Sequence, residues 1–345
     1  MFRLRAFVEK IEASPYKLSI ESSDTKDIEF LTSVGKASIG VSGTYSPAGR
    51  APAPSIKAIS YLEIEVEPSI TPIDALKIIR RIEHLISLLT FDFIKTTNAH
   101  LTITVAEKDG TKSDKQFRLD RAKFTKNAKT EFERHEVPLN LNEFDFGSVV
   151  SRFFEISDAI EQTLNWYRIV TAEDRYLEDK FFYCVRMIDA LYKALAIKTA
   201  IDQAAVETLE TIIGVLTKSE ENEALVEFLR KRAIPNFSRS SFSNVLEDLR
   251  SKYAEIKVAE ILDPKIINRL RGKEAHGSTQ PFTPQESQFM AYSYEIIRVL
   301  YILIVLENCG IPRDFLLKRL KASHHFHYLF EEERLKALRI HTSKI

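Results

Sequence analysis

One short segment of the chain, residues 263–277, brings arginine and histidine close together in sequence. Arg271 precedes His276 with four residues between them, and Arg269 precedes it with six between them. Histidine titrates near neutral pH and can accept or donate a proton, whereas arginine stays charged and offers a fork of donors to phosphate oxygens. These residue types allow proton transfer beside a bound phosphate group. The alternatives from the residues alone are that His276 bonds a backbone carbonyl at the end of a helix and that Arg269 and Arg271 lie on a solvated helix face.

The same segment predicts a short helix with one polar face. Asp263 can cap this helix, Pro264 suits its first turn, and Gly277 can end it in the left-handed conformation. The apolar residues of the segment recur at helical spacing and face the core. Asn268 and Lys273 are then left, with the two arginines, on or beside the open face.

The predicted secondary structure around this segment changes along the chain from strands to helices. In the first third, apolar and polar residues alternate, as at 62–66 and 101–105, which predicts half-buried strands. One helix, capped at Thr71, interrupts them. From about Phe144 the apolar residues recur at helical spacing. We therefore expect an α+β fold, with an N-terminal mixed β domain and one helix at residues 1–138 and an all-α bundle at residues 139–345.

Helix bounds within the second part follow from caps and periodicity. The sequence 283–286, Thr-Pro-Gln-Glu, has the pattern of a capping box before a long apolar helix. We expect helices near 146–169, 173–197, 203–217, 221–233, 241–255, 264–276, 284–308 and 312–321.

Composition and charge narrow the function classes. The chain has 49 basic and 49 acidic residues and a formal net charge of zero. Zero net charge argues against general attraction to nucleic acid or to an anionic membrane, although a local basic patch is still allowed.

The chain has two cysteines, Cys184 and Cys309, too few for a disulfide framework or a four-cysteine zinc site. The start lacks the apolar core of a signal peptide, and the apolar run 299–306 is too short to span a bilayer. We therefore expect a cytoplasmic protein with no membrane partner.

The familiar cofactor and metal motifs do not occur in the sequence. It has no GxxxxGK[ST] loop, no GxGxxG after a strand and no HExxH. His324, His325 and His327 have the spacing of strand ligands within a helical pattern, and no nearby residue completes a metal site. We expect no metal and no cofactor.

The motif and the order of elements resemble the Apea-like HEPN family of bacterial phage-defence proteins. An arginine followed after four to six residues by histidine is the RNase motif of HEPN domains. The sequence LRGKEAHG at 270–277, which ends a short helix before a long apolar one, is similar to that motif. Residues 180–195 look like the aromatic-rich first helix of the HEPN fold, with Asp189 where an acid is common. The stretch 61–90, which precedes the helical half, is similar to the N-terminal region of the family.

The resemblance implies a metal-independent endoribonuclease with an HEPN-like helical domain. Arg271 and His276 would be catalytic, with Arg269 as the alternative motif arginine, and Asn268, Arg269 and Lys273 would support the site or bind RNA. In this family two motifs meet across a symmetric dimer, so a homodimer formed through the helical half is expected. RNA, rather than DNA, would be the substrate, cut to a 2′,3′-cyclic phosphate and a 5′-hydroxyl. The protein would be a toxic effector in defence, with its N-terminal domain as sensor or regulator.

The chain departs from the family pattern directly after the motif arginine. The family usually has a polar residue there, often asparagine, whereas this chain has Gly272. Asn268, one turn earlier, could supply an amide instead. The alternative function is therefore a non-catalytic HEPN protein, a dimeric binding or scaffold module. The same spacing at Arg319 and His324 is interpreted as a decoy, that is, a chance occurrence of the motif, since it lacks the Ala-His-Gly ending.

Overall fold

The computed structural model describes the backbone of more residues than it describes side chains. Backbone is described for residues 2–11, 28–32, 35–46, 55–66, 72–91, 98–106, 112–118, 144–171, 175–218, 222–234, 241–275, 281–323 and 326–342. Side chains are described for most of the helical ranges and for none of the strand residues. The chain divides into two compact units, Met1–Ser157 with Leu306–Ile311, and Asp158–Val305 with Pro312–Ile345. The predicted boundary at residue 138 lies outside the described residues.

Six strands in the first unit form one sheet. They are β1 (Phe2–Ile11), β2 (Ile28–Thr32), β3 (Gly35–Ser46), β4 (Ser55–Val66), β5 (Asn98–Ala106) and β6 (Lys112–Arg118). Their order in the sheet is β2-β3-β4-β1-β5-β6, and every described pair is antiparallel. Helix α1 (Pro72–Thr90) connects β4 to β5. A helical connection of this kind often joins parallel neighbours, but here β1 lies between the two strands and is antiparallel to both.

The predicted α+β class with a mixed β domain is therefore wrong. The described strand pairs are not mixed, because none of them is parallel. Among the residues whose side chains are described, 83% lie in helices and none lies in a strand. The described core is consequently that of a mostly all-α protein, and its packing follows the 3.6-residue period of the apolar side chains.

Within the described ranges, ten further helices follow α1. They are α2 (Phe146–Ser157), α3 (Glu161–Thr171), α4 (Leu177–Ala194), α5 (Ala200–Leu216), α6 (Glu223–Phe228), α7 (Phe242–Lys252), α8 (Pro264–Ala275), α9 (Pro284–Asn308), α10 (Arg313–Ala322) and α11 (Glu332–Thr342). A π-helical turn, Leu229–Ala233, continues α6, and short 3-10 helices lie at Lys257–Ile261 and His327–Phe330.

The predicted helices after residue 170 each overlap a described helix, with starts that agree within four residues, whereas the first predicted helix is divided. The bounds of α9 match the predicted 284–308, and α8 ends one residue before the predicted 276. The predicted single helix 146–169 is instead two helices separated by a turn at 158–160. The Ser157 hydroxyl donates to the Phe154 carbonyl at 3.0 Å, a local bond that competes with continuation of the helix. Helix α11 was not predicted.

Helix α9 supplies much of the buried core of the second unit. Tyr301 on this helix is fully buried, its ring stacks on Tyr167 of α3 at 5.5 Å, and its hydroxyl lies 3.0 Å from Thr163 Oγ1. By length and composition α9 could also cross a membrane, and 72% of its most apolar window is buried. The core helix of a soluble protein meets the same test. Cytoplasmic location therefore stays a prediction.

Candidate functional site

Helix α8, which carries the predicted site, begins at a side-chain cap. Asp263 Oδ1 accepts hydrogen bonds from the backbone N–H groups of Lys265 at 2.7 Å and Ile266 at 3.3 Å. On its inner face, Ile267 and Leu270 are fully buried. The cap and the apolar anchors together fix the start and the rotation of the helix. The cap predicted at Asp263 is confirmed.

Helix α9 begins with the predicted capping box. The Glu286 backbone N–H donates to Thr283 Oγ1 at 3.2 Å, and the Thr283 backbone N–H donates to Glu286 Oε2 at 2.8 Å. These reciprocal bonds satisfy two donors at the start of the helix. They also hold the Glu286 side chain, which is only 11% exposed, against α8.

Glu286 is the electrostatic centre of the site. Lys273 Nζ donates to Glu286 Oε2 at 2.9 Å and to the Pro281 carbonyl at 3.0 Å, and it lies 4.9 Å from the centroid of the Phe282 ring. Arg269 Nη2 lies 3.9 Å from Glu286 Oε1. Because Lys273 and Arg269 are four residues apart, they share one face of α8 and reach the same carboxylate.

These contacts change the acidity of Glu286. Burial raises the pKa of its carboxyl group, but the Thr283 backbone N–H, Lys273 and Arg269 lower it by more. The net pKa of Glu286 lies below its ordinary value. Glu286 is therefore a carboxylate at neutral pH, held by its cap and its two cations.

Arg271 and Asn268 lie on a second face of α8 and contact the start of α7. The Arg271 guanidinium lies over the ring of Phe242, the first residue of α7, with its central carbon 4.7 Å from the ring centroid. The Asn268 side-chain amide donates to Ser243 Oγ at 3.1 Å. Among the described residues, no carboxylate lies within ion-pair distance of Arg271. Its donors are therefore oriented by an aromatic ring and not occupied by an acid.

The structure thus brings four of the five predicted site residues together and separates their roles. Arg269 is about half exposed and Arg271 is stacked on Phe242, whereas Lys273 is 18% exposed and engaged by Glu286. Sequence reasoning placed Lys273 on the open face and missed its partner. The acid of the capping box was the available signal, because a carboxylate at that position attracts cations as well as backbone donors.

The fifth residue, His276, lies outside the described residues. Helix α8 ends at Ala275, so the position of His276 relative to Arg271 and Arg269 stays a prediction. Gly272 lies within the helix beside Arg271, and a Cβ added there would meet nothing within 4 Å. The site therefore has open space at the position where it departs from the HEPN pattern.

The histidine and metal predictions fall partly outside the described part of the chain. His324 and His325 lie outside it, and His327 is exposed, with Nε2 3.7 Å from Glu331 Oε1. Arg319, the arginine of the decoy motif, lies over the ring of Phe315 at 5.4 Å. Within the described ranges, no group of three or more His, Cys, Asp or Glu side chains could hold a metal ion.

Comparison of the chain with family models, curated proteins and solved structures found no match. The HEPN resemblance therefore stays a prediction from the motif and the order of elements.

Proposed function

We propose that this protein is a metal-independent endoribonuclease whose site lies at the C-terminal part of α8. The proposal rests on one observation, the surroundings of the Arg271 guanidinium. Its guanidinium is stacked on Phe242 with no acid engaging it among the described residues, and it precedes His276 by five positions. Half-exposed Arg269 adds a second cation nearby. An arginine that is oriented by an aromatic ring, has no acidic partner among the described residues and stands five positions before a histidine in the sequence suits cleavage at a phosphodiester.

The proposed reaction uses the nucleophile that RNA itself provides. The 2′-oxygen attacks the adjacent phosphorus while a base takes its proton, and the bond from phosphorus to the 5′-oxygen breaks as an acid protonates that oxygen. The products are a 2′,3′-cyclic phosphate and a 5′-hydroxyl. Arg271, with Arg269, would stabilise the negative charge on the phosphorane oxygens, and His276 would move protons.

The remaining predicted residues would position these groups. Lys273 is held by Glu286 and the Pro281 carbonyl, so we expect it to fix the C-terminal turn of α8 rather than to contact phosphate. Asn268 ties the same helix to Ser243 at the start of α7. Both would keep Arg271 and Arg269 in place.

One chain supplies one such histidine, whereas the reaction needs an acid and a base. We therefore propose a homodimer, formed through the helical half, in which a second copy of the motif completes the site. Light scattering at micromolar protein should show a dimer. A monomer that still cleaves RNA would refute the composite site.

The enzymatic proposal is tested by end analysis of cleaved RNA in excess EDTA. We expect 2′,3′-cyclic phosphate and 5′-hydroxyl ends, and no cleavage of DNA or of RNA with a 2′-deoxy group at the cut site. Arg271→Ala and His276→Ala should each lose at least ~10²-fold in rate. Arg230→Ala, at an exposed arginine on the π-helical turn, is the matched control and should retain full activity. Products with 3′-hydroxyl ends, or equal rates for the Arg271 and Arg230 variants, would contradict the mechanism.

The second candidate is a non-catalytic dimeric binding or scaffold protein. It is favoured by Gly272 in place of a polar residue and by the engagement of Lys273 with Glu286, which reduces the free positive charge of the site. Expression in bacteria separates the two functions. Growth arrest that His276→Ala relieves favours the nuclease and a toxic role in defence, whereas equal growth of both strains favours the scaffold.

A further inference from the structure

A cavity lies within the second unit, between the N-terminal half of α9 and the elements near α11. Its volume is about 470 Å³. The side chains that line it come from α9, the 3-10 helix His327–Phe330, the residue after it, and α11. They include three tyrosines, two glutamates and one arginine, namely Tyr292, Tyr294, Tyr328, Glu295, Glu331 and Arg334. This lining combines three aromatic rings with three charged groups, residue types that also occur in sites for small organic ligands.

The arginine of this cavity is oriented by a tyrosine. The Arg334 guanidinium lies 4.9 Å from the ring centroid of Tyr292, and Arg334 Nη2 donates to the Tyr292 hydroxyl at 2.7 Å. In the described part of the chain, no carboxylate forms an ion pair with Arg334. Its remaining donors can therefore serve an acceptor group on a ligand.

The two glutamates of the cavity differ in what they already bind. Glu295 accepts a hydrogen bond from the Tyr294 hydroxyl and forms an ion pair with Arg298 at 3.1 Å, so its charge is balanced. Glu331 is about half exposed, and its ion-pair neighbour is His327 at 3.7 Å. Glu331 is thus the carboxylate with capacity to accept hydrogen bonds from a ligand.

The Tyr328 hydroxyl adds a donor to the cavity, whereas the Tyr294 hydroxyl already donates to Glu295. Burial, reinforced by Glu295, raises the pKa of Tyr328 to about 12, and burial likewise raises the pKa of Tyr294. Both hydroxyls therefore stay protonated at neutral pH. The cavity combines flat aromatic walls with one open carboxylate acceptor and one oriented arginine donor.

We propose that this cavity binds a nucleobase. A flat ring can stack on Tyr328, while its N–H groups donate to Glu331 and its carbonyl or ring nitrogen accepts from Arg334. Donors and acceptors on the edge of one planar ring are the distinguishing chemistry of nucleobases. The base comes either from a free nucleoside or from a single-stranded RNA. Tyr292 lies six residues after Glu286, about 9 Å along the axis of α9, so a strand near α8 could extend to the cavity.

The proposal is tested by calorimetric titration of the full chain with the four common ribonucleosides, with an eight-nucleotide RNA of mixed sequence, and with ribose as the baseless control. We expect binding of at least one nucleoside or of the RNA, and no binding of ribose. Binding of the RNA alone assigns the base to a strand, and binding of a nucleoside assigns it to a free ligand. No binding by any nucleoside or by the RNA would overturn the proposal.

Variants locate the binding in the cavity. Tyr328→Leu should weaken it about 5- to 100-fold through loss of stacking, whereas Tyr328→Phe, which keeps the ring, should weaken it less. Glu331→Gln changes an exposed side chain that folding does not need and should also weaken binding. Tyr176→Leu, at a tyrosine that is 81% exposed and outside the cavity, is the matched control. Unchanged affinity in folded Glu331→Gln and Tyr328→Leu proteins would refute the site. Because RNA cleavage is not the readout, failure of the nuclease proposal would leave this result unaffected.

Discussion

Replacement of Glu286 by glutamine tests how the candidate site is held together. Glutamine keeps the shape of the side chain and can still accept the Thr283 backbone hydrogen bond in a capping box. It loses the negative charge that faces Lys273 at 2.9 Å and Arg269 at 3.9 Å. The substitution therefore removes the electrostatic part of the Glu286 interactions and leaves the helix cap in place.

The structure sets the expected size of this effect. The side chains of Glu286 and Lys273 are 11% and 18% exposed, so solvent screens their interaction only partly. A hydrogen bond to a charged group stabilises a fold by ~1.5–3 kcal/mol, and a neutral amide oxygen preserves part of that. We expect Glu286→Gln to lower the free energy of unfolding by about 1 kcal/mol at pH 7. Glu286→Ala also loses the cap and should lower it by about 2 kcal/mol.

The effect should depend on pH in a defined direction. The folded-state pKa of Glu286 lies below its ordinary value, so the unfolded chain binds a proton first as the pH falls. The charge of Glu286 therefore contributes stability fully above its ordinary pKa, and that contribution disappears as the pH drops below about 4. The difference between wild type and Glu286→Gln should shrink over the same interval.

Urea unfolding at pH 7, 5 and 3, compared at constant m, measures these differences. Glu227→Gln is the matched control, because Glu227 also pairs with a lysine but both side chains are more than half exposed. That variant should change the free energy of unfolding by less than about 0.5 kcal/mol. Equal stability of the Glu286→Gln and wild-type proteins at pH 7, or a difference that does not change with pH, would refute the reasoning.

Glu286→Gln also has an expected effect on RNA binding. Loss of the carboxylate leaves Lys273 and Arg269 without their shared partner, so phosphate groups can approach them more favourably. Each cation that newly contacts a phosphate of single-stranded RNA should steepen the plot of log K against log salt by about 0.7. A salt slope that is unchanged in the variant would show that RNA does not bind beside Glu286.

Three further results are expected from the described packing. Gly272→Ala should raise the free energy of unfolding by ~0.5–1 kcal/mol in thermal or urea unfolding, because the added Cβ meets nothing within 4 Å and alanine favours a helix interior; a loss of stability would contradict the open space there. Phe242→Leu should reduce RNA cleavage without changing the charge of Arg271, since the guanidinium loses its stacking ring; an unchanged rate would show that the ring does not orient it. Cys184 and Cys309 are buried, and burial raises the pKa of both thiols, that of Cys309 to about 12. Both should react with a colorimetric thiol reagent at pH 8 only after unfolding, and rapid reaction of the native protein would disprove their burial.

The sequence by itself determined the local features of the site. Helices α8 and α9 begin where Asp263, Thr283 and Glu286 predict, because each cap is made between residues two or three positions apart. The apolar period likewise located most of the described helices from about residue 144 onward, but it missed α11 and the break between α2 and α3. Such signals depend on neighbours in the chain and do not require knowledge of the fold.

Which of these elements are in contact is known only from the tertiary structure. A mixed sheet was predicted, but β1 lies between β4 and β5 and is antiparallel to both, so the described strand pairs are all antiparallel. Arg271 reaches Phe242, 29 positions earlier, and Lys273 reaches Glu286 across the α8–α9 connection. These contacts join residues that are distant in sequence, and they form because the buried faces of the helices fix their relative rotation. The capping box marked Glu286 as a possible partner, but no local pattern shows that α8 lies within its reach, so Lys273 was predicted as an open cation and is instead a paired one.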